Sequence, residues 1–200
     1  MTAATAPAAT DRSDWRTITF NGAKLGVLTA VGVVAFSLLS RTLSGTTETI
    51  VQSILILVGG AAFAFLPSTW IRPRTVDGIA WAAMVGLMGA LFYTVIDILL
   101  LRRLGVYPWT WDRIGGGSTF WYLPVWWMGS ALLAWLGAWT VSNQHSPSPL
   151  MAAAQAEGLA IILFAVLVAT VGPFASAMMA LAYALALVVL VPVSAVLGRR

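Results

Sequence analysis

Six runs of predominantly apolar residues, each about 20 long, account for most of this 200-residue chain. A helix of about 20 residues spans the ~30 Å hydrocarbon core of a bilayer. Runs that are continuous and not alternating predict membrane-crossing α-helices, not the strands of a barrel. They lie at about 22–40, 49–68, 78–101, 120–142, 149–171 and 173–197. The charge content agrees: 9% of the residues are charged and 60% hydrophobic, whereas about a quarter of an ordinary soluble chain is charged. The predicted fold is all-α, a polytopic integral membrane protein with about six transmembrane helices in one compact bundle over residues 19–200. The Ala/Thr-rich residues 1–18 are expected to form a disordered or surface-lying cytoplasmic tail. The first run continues into Leu38-Leu39-Ser40-Arg41 without a small-residue cleavage site, so a retained helix is expected.

Turn chemistry marks the ends of these runs. Ser44 to Glu48 supply hydroxyl and carboxylate groups suited to a helix start, and Asp77 is a candidate N-cap of the third helix. The second run is expected to stop near Pro67, and Pro192 to kink the sixth. Pro124 suits the start of the fourth helix, and Ser148-Pro149 the N-cap and first position of the fifth. With six spans, one side of the membrane holds Arg12, Arg16, Lys24, Arg72, Arg74, Arg199 and Arg200, and the other Arg41, Arg102, Arg103 and Arg113. Seven basic residues against four favour both termini in the cytoplasm of a cell with an inner membrane. The Arg-Arg pairs ending the third and sixth spans are the only matching feature of the two halves, which is no inverted repeat.

Several kinds of chemistry are excluded at this stage. A chain with no cysteine has no disulfide, thiolate nucleophile, iron–sulfur cluster or Cys-type zinc site. Its single histidine, His145, rules out multi-His metal centres and bis-His haem, and its polar surroundings (residues 142–149) make it a solvated loop residue. No nucleophile elbow, zinc-protease helix or phosphate loop occurs. A retinal Schiff base is not expected, because the sole lysine, Lys24, falls at the front of the first run. No basic patch with interleaved aromatics lies outside the spans, so no nucleic-acid partner is expected.

Ionisable residues inside hydrocarbon are costly and therefore informative. Asp97 and Glu157 are the two candidates. Gly78, Ala82, Gly86, Ala90 and Thr94 form a small-residue stripe on the third helix that permits close approach of another helix. Asp97 projects within about 20° of that stripe and so should face protein. Its ordinary role would be pairing with Arg102, Arg103 or Arg113; the alternative is a proton relay or ligand contact, with Tyr93 beside it. Glu157, near the start of the fifth helix, reads as a carboxylate complementing the helix dipole. The two lie toward opposite faces, on the order of 20 Å apart, and form no catalytic pair.

The most distinctive stretch connects the third and fourth helices. It contains Tyr107, Trp109, Trp111, Asp112, Arg113 and Trp121, and leads into Trp126 and Trp127. Tryptophan favours the membrane interface, so an aromatic belt on the outer leaflet is the simplest reading. Asp112 and Arg113 precede three glycines, an arrangement that suits a flexible turn or, less specifically, an anion such as a phospholipid headgroup. Trp135 and Trp139 lie deeper, beside a second small stripe of Ser130, Ala134 and Ala138; a third stripe is Ser176, Ala180 and Ala184. The Trp pair suits ordinary packing, or contact with a partner subunit or a flat apolar molecule.

These features predict a non-catalytic accessory or scaffold subunit of a larger membrane assembly, packed through small-residue stripes and a Trp-rich outer edge. Its expected partners are membrane lipids and other membrane subunits. No cofactor is evident, with a bound lipid, quinone or pigment as the candidates. The alternative is a small transporter or apolar-ligand binder using Asp97 and the Trp109–Trp127 segment. A third reading is a membrane enzyme acting on a lipid or isoprenoid, with Asp97, Asp112 and Arg113 at the interface.

Overall fold

A computed structural model describes residues 14–106, 122–144, 148–171 and 176–198. They form six α-helices: α1 (Trp15–Thr42), α2 (Gly45–Ile71), α3 (Val76–Ile96), α4 (Tyr122–Ser142), α5 (Pro149–Val171) and α6 (Ser176–Leu197). The final turn of α3 widens into a π-helical segment, Asp97–Leu101. The protein is an all-α, multi-pass membrane protein, and α1, α2, α3, α5 and α6 are long and apolar enough to cross a bilayer. The remaining helix, α4, has 21 residues, but its four tryptophans dilute its apolar character.

Local chemistry sets the helix ends. Asp14 caps α1, accepting hydrogen bonds from the Thr17 amide (2.9 Å) and the Thr17 hydroxyl (2.7 Å). This cap starts the helix at Trp15 instead of near residue 22, and carries Arg16, Asn21 and Lys24 onto its first turns. Helix α2 passes through Pro67 to Ile71 and does not stop at the proline. Pro67 forfeits one intrahelical bond but is buried in the bundle, where continued helix keeps the other backbone groups paired. The chain leaves α2 through Arg72, whose left-handed backbone (φ 56°) directs its N–H to the Ser68 carbonyl at 2.9 Å. Thr75, not Asp77, caps α3, its hydroxyl accepting from Gly78 N at 3.1 Å; Asp77 lies in the first turn. Ser148 and Pro149 open α5 as expected, with Met151 N donating to Ser148 Oγ.

Helices α2 and α4 form the centre, with α1 and α3 against one side and α5 and α6 against the other. Close contacts at small residues hold these seams together. An added Cβ on Gly26 of α1 would lie 2.9 Å from the Gly89 carbonyl oxygen of α3, and one on Gly60 of α2 would lie 2.9 Å from the Tyr183 ring of α6. Gly86 of α3 faces Ser130 and Ala134 of α4, and Gly137 of α4 faces the Ala64 backbone of α2. The stripes expected on α3 and α4 thus meet each other. The stripe expected on α6 does not enter the core: Ala180 is exposed, while Met179, Ala182, Tyr183, Ala186, Leu187, Leu190 and Val191 fill the interior.

Candidate functional site

The polar groups gather at the two ends of the bundle. At the end where α1 finishes, Asp97 is 2% exposed and accepts a 3.0 Å hydrogen-bonded ion pair from Arg102 Nε. The π turn makes this pair, because Arg102 N–H also donates to the Asp97 carbonyl at 2.9 Å, closing an i to i+5 ring. One turn before Asp97, the Thr94 hydroxyl donates to the Ala90 carbonyl (2.8 Å) and accepts from Trp127 Nε1 of α4 (3.2 Å). Arg41 of α1 donates to the carbonyls of Gly105 (2.9 Å) and Val106 (2.6 Å), and Ser37 Oγ donates to the same Val106 carbonyl at 2.6 Å. A cation at these carbonyls complements the negative end of the α3 dipole. This end is therefore knit together by its own groups.

Tyr93 is half-buried four residues before Asp97, on the same side of α3. Trp126 is exposed at the start of α4. Tyr107, Trp109, Trp111, Asp112, Arg113 and Trp121 lie outside the described residues, as does His145. Glu157 is half-buried two turns into α5, away from the Asp97 cluster. Trp135 and Trp139 are 37% and 36% exposed and point away from the core, with ring centroids 4.8 Å apart and planes tilted by 56°. They continue an exposed apolar strip through Val125, Met128 and Leu132.

The opposite end carries features that the sequence reading did not single out. A cavity of about 590 Å³ between the start of α1 and the end of α2 is lined by Arg16, Thr17, Phe20, Asn21, Lys24, Thr69 and Trp70. Arg16, Phe20 and Lys24 recur every four residues and so share one face of α1. The Lys24 ammonium lies 4.3 Å from the centroid of the Phe20 ring. A second cavity of about 350 Å³ has Thr69 in common with the first and is lined also by Ser68, Arg72, Pro73, Arg74, Val141 and Pro149. Ser68 is 1% exposed, and its hydroxyl has no hydrogen-bond partner among the described residues. The legible signal was the Arg16-Phe20-Lys24 spacing. It was hidden by an assumed helix start near residue 22, which left Lys24 at a helix front instead of nine residues beyond Trp15.

No cluster of metal-ligating side chains occurs among the described residues. The class defined by this fold is a multi-pass helical membrane protein with one self-paired polar end and one cationic, cavity-bearing end. Comparison with protein-family models, curated proteins and solved structures finds no match for the chain.

Proposed function

We propose that this protein is a non-catalytic scaffold or accessory subunit of a larger assembly in the cytoplasmic (inner) membrane, with both termini in the cytoplasm. The observation that carries this reading is the outward Trp135–Trp139 pair on α4. Aliphatic side chains suffice for a helix face that meets only lipid tails, as Val125, Met128 and Leu132 illustrate on the same strip. Two tilted indoles present a large, stiff surface with N–H groups that favour a partner helix or a flat apolar molecule such as a quinone or pigment. The small stripe on α6, with Ala180 exposed, offers a second face for close helix contact. The transporter reading draws less support, since the carboxylate it needs is held by Arg102.

The test replaces Trp135 or Trp139 with a photo-crosslinking residue in native membranes and identifies the adducts by mass spectrometry. Adducts to a distinct protein subunit, and loss of that subunit from gently extracted Trp135→Leu/Trp139→Leu protein, are expected. Adducts to lipid alone, with an unchanged particle mass for the double variant, would refute the assembly role.

A further inference from the structure

The cavity between α1 and α2 holds two cations without an acidic lining residue. Neither Arg16 nor Lys24 forms an ion pair or hydrogen bond among the described residues. Lys24 lies nine residues beyond Trp15, or about 14 Å along the helix axis. Helical side chains lean toward the N-terminus, and a lysine stem follows apolar surface to bring its ammonium toward the headgroups. The Phe20 contact one turn back shows that direction. A cation at this depth is costly unless an anion or the wet interface meets it.

Asn21 supplies an independent observation. It is 7% exposed, lines the same cavity, and its side-chain amide makes no hydrogen bond among the described residues. Its amide therefore opens only onto the cavity, where an anionic oxygen could accept its N–H. Arg16 and Lys24 offer donors and no acceptor, Asn21 adds two amide hydrogens, a set suited to an acceptor-rich anion, and Trp70 supplies an indole of the kind that sits at headgroup depth.

We propose that this cavity binds the phosphate of an anionic phospholipid from the leaflet facing the start of α1. Arg16 and Lys24 contact the phosphate oxygens, Asn21 donates its amide hydrogens, and the acyl chains run along the lipid-facing side of α1. The adjoining cavity places Arg72 and the unpartnered Ser68 hydroxyl beside the hydroxyl-bearing part of the headgroup. Zwitterionic lipids carry the same phosphate, but their ammonium group would meet these cations unfavourably.

The experiment uses the full chain, purified in a mild detergent and mixed with defined lipid. Native mass spectrometry counts retained phosphatidylglycerol or phosphatidylcholine, with inorganic phosphate added in a separate arm. Retention of phosphatidylglycerol over phosphatidylcholine is expected, falling about tenfold in Lys24→Gln and in Arg16→Gln, as the loss of one charge-assisted contact implies. Arg103→Gln, at the other end of the bundle and exposed, keeps wild-type retention. Circular dichroism identifies variants that fold, and the two α1 replacements on an exposed face keep the wild-type spectrum. Equal retention of the two lipids, or unchanged phosphatidylglycerol retention in both α1 variants, overturns the proposal. Displacement of the lipid by millimolar inorganic phosphate would overturn the lipid assignment and leave a free-anion site.

Discussion

Gly86→Ala tests the seam between α3 and α4 on which the bundle depends. An added Cβ would sit 2.6 Å from the Ala134 Cβ and 2.7 Å from the Ser130 carbonyl oxygen. Ordinary van der Waals contact begins at 3.4 Å, a shortfall of 0.8 Å against Ala134 (3.4 − 2.6). Neither obstructing atom can turn away by changing rotamer, since both are fixed to the α4 backbone. The helices must therefore part, and a gap of about 0.5–1 Å forfeits a quarter to a half of each dispersion contact across it. Overpacking of this kind costs about 1–3 kcal/mol. It opposes a helix-propensity gain of about 1 kcal/mol from replacing glycine with alanine. Gly129→Ala in α4 supplies the control, because nothing lies within 4 Å of its added Cβ and only the propensity gain applies. The two variants should then differ by about 1–3 kcal/mol, or about 5- to 150-fold in the folding equilibrium. Equilibrium unfolding in mixed micelles of rising SDS fraction, followed by far-UV circular dichroism, measures that difference. Equal stability of the two variants would refute the close α3–α4 seam.

Two further perturbations bear on the ends of the bundle. Arg102→Met should destabilise by about 2–4 kcal/mol by removing a charged partner of the buried Asp97 carboxylate, whereas Asp97→Asn/Arg102→Met recovers most of the loss; a double variant no more stable than Arg102→Met would show that pairing is not what Asp97 provides. At the other end, the Thr17 side-chain and backbone hydrogen bonds hold the Asp14 carboxyl below its ordinary pKa of 3.8. A lowered carboxyl pKa means that the cap is complete above the ordinary value and is lost as pH falls through the folded one. The Thr17 amide resonance should therefore stay fixed from pH 7 to about 5 and move only in stronger acid, and a resonance that moves near pH 6 or never moves would contradict the cap.

The six helices were legible because an apolar run of membrane length admits few other structures, and no tertiary information is needed to recognise one. Their ends were less legible. Arg16, Thr17 and Asn21 read as the polar approach to a helix and Lys24 as its front, whereas the Asp14 cap places the first three within α1 and Lys24 nine residues beyond Trp15. Which face of α6 turns inward was illegible for a related reason. Ala177, Ala180, Ala182, Ala184 and Ala186 offer small residues on nearly every face, and only Tyr183 and Leu187 filling the core beside α2 and α5 decide which face turns inward. The partner of Asp97 was one of three arginines until the backbone was known. In a regular α-helix residue i+5 lies about 140° away around the axis. The π turn brings Arg102 back over Asp97, and nothing in the residue types announces that turn.

The distribution of paired and unpaired cations carries the functional argument further than their number does. At the end bearing Asp97, Arg102 meets a carboxylate and Arg41 meets two backbone carbonyls, so those charges are used in holding α1, α3 and the π turn together. At the end bearing Asp14, Arg16, Lys24 and Arg72 have no such partner among the described residues, yet they line two cavities that meet at Thr69. Stability alone would favour matching these cations internally, as Arg102 and Arg41 are at the other end, since an unpaired charge near hydrocarbon is unfavourable. Asp14 lies only two residues from Arg16 and acts on it through space, but its hydrogen bonds go to Thr17 and the two form no ion pair. Cations that line a cavity without an ion pair, beside an amide with no hydrogen-bond partner among the described residues, suit an anion from outside the chain.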